Sequence, residues 1–251
     1  MNEHVARIRI LYILLLALAI LIGCIVRAVP GRVTPTSPYA SLPTGYDVSW
    51  PNCGATPPTV PTWGIVGVTG GLSLHANHCL PLEMSWFTQP TDLYVNTGYS
   101  GRLLALPHSH TPRNCTPYDE SCIAYDYGYA EGVYAVQLAA RQGVHATIWW
   151  LDVETDNSWD IIPTVNRASI QGTIDAIRKE TVIGRVGIYA FPGQWDVITG
   201  DWQPNLPAWV ATGSDDRAAA EQACTQPSFT GGPVWLTQYT VGLDRNIACT
   251  Q

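Results

Sequence analysis

The sequence is poor in charge, and poorest in positive charge. Charged residues make up 13% of the chain, and beyond residue 28 ten basic residues face nineteen acidic ones, a net charge of −9. A domain with that balance offers no electrostatic footprint for nucleic acid or for an anionic membrane surface. The sequence also lacks any C-x-x-C pair, so a compact cysteine zinc site is not implied. It has no phosphate-binding glycine loop, and Gly98-Tyr99-Ser100-Gly101 lacks the spacing of a nucleophile elbow. No internal repeat runs through it. What it has instead is aromatic side chains, 10 Trp and 12 Tyr. Such rings stack on the flat faces of pyranoses, and they also fill cores, because each buries a large apolar area. Low charge with many aromatics suits an exported domain that handles sugar.

The first 28 residues read as a targeting segment. Arg7 and Arg9 precede an uncharged run of 17 residues, Ile10 to Val26, and Arg27 ends it. A secretory signal has an apolar stretch of roughly 7–15 residues and a membrane span needs roughly 17–25. The run lies at that boundary. Cleavage near Ala28 and retention as an anchor are both open, and so is lipidation at Cys24, since Leu21-Ile22-Gly23-Cys24 resembles a bacterial lipobox. Residues 29–44 are rich in Pro, Ser and Thr without hydrophobic period and read as a linker. Residues 45–251 remain as one domain outside the cytoplasmic membrane, either secreted or held on its outer face. The other six cysteines fit that location, because an even number in an oxidising compartment reads as a disulfide framework. Many pairings are possible; the expectation taken here is nearest neighbours, Cys53–Cys79, Cys115–Cys122 and Cys224–Cys249.

After Gly45, short apolar segments alternate with longer ones. Strands are expected at Tyr46–Trp50, Gly64–Thr69, Asp92–Thr97, Thr147–Val153, Arg185–Ala190, Ala208–Ala211 and Val234–Tyr239, with a last short one at Leu243–Ile247. Helical spacing marks Asp126–Arg141 and Thr164–Lys179, and more weakly Asn77–Phe87. Alternation of strand and helix argues for a parallel sheet. The later strands come too close together for full helices. The fold class expected is α/β: an irregular TIM-like β/α barrel, parallel, with reduced helices in its last third.

The chemistry concentrates in Trp149-Trp150-Leu151-Asp152-Val153-Glu154. Side chains alternate along a strand, so Asp152 and Glu154 share one face, with Cα atoms roughly 6.6–6.8 Å apart. Carboxylates at the end of an apolar strand are costly unless solvated or used. In a parallel barrel the C-terminal strand ends form the active-site face. Paired carboxylates there are what glycoside hydrolysis requires. A solvated strand end or a helix cap is the plainer alternative. Asp47 shares a strand face with Ser49 and could enter the same mouth, or it is a turn residue at the domain start. Gln238 and Asp244 could reach it from the last strands. The pairs His75/His78 and His108/His110 lie in Pro-, Asn- and Ser-rich stretches and read as loop residues. No metal and no cofactor is expected.

Together these stretches resemble family 25 of the glycoside hydrolases, lysozyme-like muramidases with an irregular β/α barrel. Asp47-Val48-Ser49 resembles that family's opening motif, and Asp152-Val153-Glu154 its Asp-x-Glu pair. Gly187-Ile188-Tyr189, Pro207 to Ala211, Trp235 to Tyr239 and Asp244 to Asn246 resemble its later strands in the same order. The sequence is also similar to less characterised exported glycoside-hydrolase-like proteins that share the barrel. The resemblance implies Glu154 as general acid with a raised pKa. Asp152, ionised, would stabilise the oxocarbenium-like centre or orient a substrate acetamido group. It implies that Asp47 and Asp244 position substrate and that Tyr189, Trp209 and Gln238 line the cleft. The implied partner is a polysaccharide, peptidoglycan above all. Two departures imply altered specificity. Gly67-Val68-Thr69-Gly70-Gly71 has neither the Lys nor the Glu of the family's second-strand turn, and Trp50-Pro51-Asn52-Cys53 lacks the Gln that commonly follows the first motif. The rival reading is a carbohydrate-binding barrel of the cell envelope without turnover. A metal-dependent wall amidase or peptidase would need the histidine pairs to meet.

Overall fold

The computed structural model describes residues 36–42, 44–57, 63–88, 91–101 and 112–250. The N-terminal segment with Cys24, and His108 with His110, lie outside them. Among the described residues no helix is long and apolar enough to cross a membrane.

The strands close into a barrel in chain order. They are β1 (Gly45–Val48), β2 (Gly64–Gly67), β3 (Asp92–Asn96), β4 (Ile148–Asp152), β5 (Arg185–Ala190), β6 (Ala208–Ala211), β7 (Val234–Val241) and β8 (Leu243–Ala248). Neighbours from β1 to β7 pair in parallel. β8 runs antiparallel to both β7 and β1 and closes the ring. The expected irregular α/β barrel is therefore present, with its last strand reversed. A parallel return needs a crossover of a dozen residues or more. Only Gly242, at φ 74°, separates β7 from β8, and a link that short makes a hairpin.

The helices follow the same economy. α1 (Leu80–Met84) is a single turn or so, and α2 (Glu120–Arg141) and α3 (Pro163–Glu180) are full length. α4 (Pro192–Thr199) and α5 (Arg217–Ala223) are short, as expected for the last third. α2 begins six residues before its expected start. Asp119 caps it by accepting the Cys122 N–H at 3.0 Å, and the Cys115–Cys122 disulfide ties the incoming loop to the first turn. The weaker helix over Asn77–Phe87 shrinks to α1 because Asn77 is committed elsewhere. Its amide donates to the Gly67 carbonyl and to Glu83. The other disulfides are Cys53–Cys79 and Cys224–Cys249, so all three nearest-neighbour pairs form. They are compatible with an oxidising, extracellular compartment.

Alternation along β4 sorts its side chains. Leu151 and Val153 pack outward with Ile170, Ile174 and Ile177 of α3. Ile148 and Trp150 point inward, where Trp63, Trp209, Ile65 and Leu236 complete the lower barrel core. Gly187 on β5 makes room for this layer: a Cβ there would lie 2.3 Å from the Trp150 ring. Tyr39, from the segment expected to be linker, seals the floor. It is buried against Trp63, its hydroxyl bonds Asp92 at 2.5 Å, and the Trp150 indole N–H donates to it at 3.2 Å. The compact unit starts at Thr36. The floor is thus dry and aromatic, and polar groups gather at the other end.

Candidate active site

Each of the seven residues singled out above lines one pocket of about 130 Å³. Asp47 comes from β1, Asp152 ends β4, and Glu154 lies two residues past it. Tyr189, Trp209, Gln238 and Asp244 come from β5, β6, β7 and β8. Tyr94 of β3 joins them. The pocket opens at the C-terminal ends of the parallel strands, where barrel enzymes carry their chemistry. Strand register builds it. Asp152 is level with Asn96 on one side and Tyr189 on the other, Tyr189 is level with Trp209, and Asp47 is level with Asp244.

Two hydrogen-bond systems hold the carboxylates. Asp47 accepts from the Gln238 amide at 3.0 and 3.1 Å and from the Asn246 amide at 2.8 Å. The Gln238 carbonyl oxygen in turn accepts the Tyr189 hydroxyl at 2.8 Å. Asp152 Oδ2 accepts the Asn96 amide at 2.5 Å. Asn96 is oriented by Thr69, whose hydroxyl donates to its Oδ1 and accepts its backbone N–H, both at 2.8 Å. That leaves Asp152 Oδ1 with no N–H or hydroxyl donor in a buried position. The Glu154 carboxyl lines the same pocket.

Burial, followed by the adjacent Glu154 charge, lifts Asp152 well above the usual carboxylate range, and the Asn96 amide only partly offsets this. Burial lifts Glu154 too, but its bond to Asp152 pulls it back. The upward direction thus holds at both carboxyls, where a raised Glu154 and an ionised Asp152 are expected. Asp152 is 5% exposed whereas Glu154 is half-buried beyond the strand end, so desolvation falls harder on Asp152. Asp47 is pushed up to about 8, by burial and then by Asp244, against the pull of Gln238 and Asn246. Four carboxyls, Asp47, Asp152, Glu154 and Asp244, share this mouth.

The aromatic side of the pocket is Tyr189 packed on Trp209, ring centres 4.4 Å apart, with Tyr94 edge-on to the Trp209 ring. The Trp209 indole N–H is buried and without a partner in the described residues, a donor available to a ligand. His75 and His78 are exposed on the loop between β2 and α1. Among the described residues no group of three or more His, Cys, Asp or Glu is arranged to hold a metal ion. Sequence reasoning missed Tyr94, Asn96, Thr69 and Asn246. Tyr94 and Asn96 alternate along β3 toward the same end as Asp152, which was the available signal. Asn246 lies in the Asp-x-Asn whose Asp alone was assigned.

Residues 122–235 match the model of a protein family described as Lysozyme-like protein 1. That stretch runs from the first turn of α2 into β7 and contains Asp152, Glu154, Tyr189 and Trp209. No curated protein and no solved structure matches the chain. The part of the chain that carries the Asp152–Glu154 pair is similar to a lysozyme-like family.

Proposed function

We propose that this domain is a glycosidase acting on cell-wall glycan, peptidoglycan in the first place, with Asp152 and Glu154 as its acid pair. The observation that supports the reading is the pairing of Asp152 and Glu154 in one pocket at the open end of the barrel, where burial raises both carboxyls above their usual range. A glycosidic bond breaks when its oxygen is protonated as positive charge builds on the sugar carbon. Glu154, nearer the rim, passes the proton to the leaving oxygen. Asp152 gives up its proton to Glu154 in the same event and remains as the anion facing the cationic centre, or orients a participating acetamido group; water then adds to that carbon and returns a proton to the pair. Burial raises the affinity of both carboxyls for a proton, which favours the acid form that the step needs. Asp47 and Asp244 position hydroxyls, Gln238 fixes Asp47, and the Tyr189–Trp209 rings take an apolar sugar face.

The domain works outside the cytoplasmic membrane in this account, delivered by the hydrophobic segment of residues 10–26 and either released or kept on the membrane by it. Incubation of the purified protein with peptidoglycan, followed by assay for new reducing ends, tests the reading. New reducing ends support it. Retention of the glycan with no new ends would replace it with the carbohydrate-binding barrel.

A further inference from the structure

A second pocket, about 630 Å³, opens on the same end of the barrel. It lies between the loop after β3 and the loop after β4, and Tyr99, Ser100, Gly101, Ser158, Trp159 and Asp160 line it. Its volume is that of a small-molecule site. Resting on the glycosidase reading above, we infer that this pocket is an accessory subsite for a further neutral saccharide unit of the same glycan chain, bound beside the Asp152–Glu154 pocket.

The two pockets share one loop. Glu154 begins it, Trp159 and Asp160 end it, and the Trp159 indole N–H donates to the Glu154 carbonyl at 2.8 Å. The wall of the second pocket thus hangs on the backbone of the acid residue. Both walls are also prebuilt. The Tyr99 N–H donates to the Ser158 carbonyl at 2.7 Å, and Gly98 lies so close that a Cβ there would sit 2.9 Å from the same oxygen. Buried Asn166 holds Asp160 from both sides: its carbonyl oxygen accepts the Asp160 N–H at 2.9 Å and its amide donates to the Asp160 carbonyl at 2.8 Å. Asp160 Oδ1 accepts the Ile162 N–H at 2.8 Å. A half-buried indole beside a carboxylate and a hydroxyl is the pairing a pyranose uses, ring face on the indole and hydroxyls on the polar groups. The acid nearby disfavours anionic groups, so the unit is neutral.

The test is affinity against chain length. β-1,4-linked N-acetylglucosamine oligomers of increasing length are titrated calorimetrically into full-length Glu154→Gln, which cannot turn them over. The same series is run with Ser100→Trp added, a bulky side chain at an exposed position in the pocket. Asp160→Asn, which keeps an acceptor for the Ile162 N–H, is the second variant. The expected result is that affinity rises with length in Glu154→Gln and that both added variants remove about tenfold of that rise, with the shortest oligomer bound equally by all three. The same rise in all three proteins would overturn the subsite and leave the glycosidase reading standing. Equal weakening at every length would also overturn it, since it would place the effect on the Glu154 loop. Failure of Glu154→Gln to bind an oligomer of any length would overturn both.

Discussion

Replacing Asn96 by Ala removes the one N–H among the described residues that reaches the Asp152 carboxyl. A hydrogen bond to a charged group is worth about 1.5–3 kcal/mol. Because one pH unit corresponds to about 1.4 kcal/mol, the loss should raise the pH at which Asp152 ionises by about one to two units. The direction follows from the structure, where Asn96 opposes the effect of burial on Asp152. The proton would then leave the pair only at higher pH. The alkaline limb of the kcat/KM profile on peptidoglycan, on which the pair loses its proton, should move to higher pH by that amount, and at a fixed pH on that limb the rate should rise about ten- to a hundredfold. Thr69→Val should act in the same direction more weakly, since Thr69 only orients the Asn96 amide. Profiles with unmoved limbs but a uniformly lower rate would make Asn96 merely structural and refute the reasoning, as would a shift toward acid.

Three further outcomes test the fold. Asp47 and Glu131 are both pushed up to about 8 by burial, against about 4 when unfolded, so the folded state keeps protons that the unfolded chain has lost between those values. Their contribution to stability is complete below about pH 4 and is lost as pH rises toward 8, so the urea midpoint should fall from pH 5 to pH 8 and Glu131→Gln should flatten part of that fall; a rising midpoint contradicts it. Cys224 and Cys249 are 25 residues apart, and their joint replacement by Ser should cost about 3.5 kcal/mol in urea unfolding, whereas an unchanged midpoint would deny the cross-link a role. Gly187→Ala drives a methyl into the Trp150 ring and should cost about 1–3 kcal/mol, read as a lower Tm; wild-type stability would mean that the aromatic floor yields.

Much of the site was legible because strand alternation is a strict rule. Asp152 and Glu154 share one strand face, and Leu151 and Val153, on the other, pack outward on α3, which turns the carboxyls to the mouth. The order of motifs then brought Asp47, Tyr189, Trp209, Gln238 and Asp244 to the same end. What escaped was whatever depends on partners distant in sequence. Tyr39 sits in a Pro- and Ser-rich stretch with no period, yet packs against Trp63 and Trp150. Asn96 and Asn246 are ordinary polar residues until register sets them against Asp152 and Asp47. The rise at Asp152 follows from burial, which alternation cannot supply. The reversal of β8 was legible in principle, because the chain between Tyr239 and Leu243 is too short for a crossover.

The most direct test of the central claim compares the wild-type protein with Glu154→Gln on purified peptidoglycan, measuring new reducing ends and glycan pull-down side by side. The variant should lose about a hundredfold or more of the wild-type rate while folding and binding glycan as before. Reducing ends released at the wild-type rate by Glu154→Gln would contradict it.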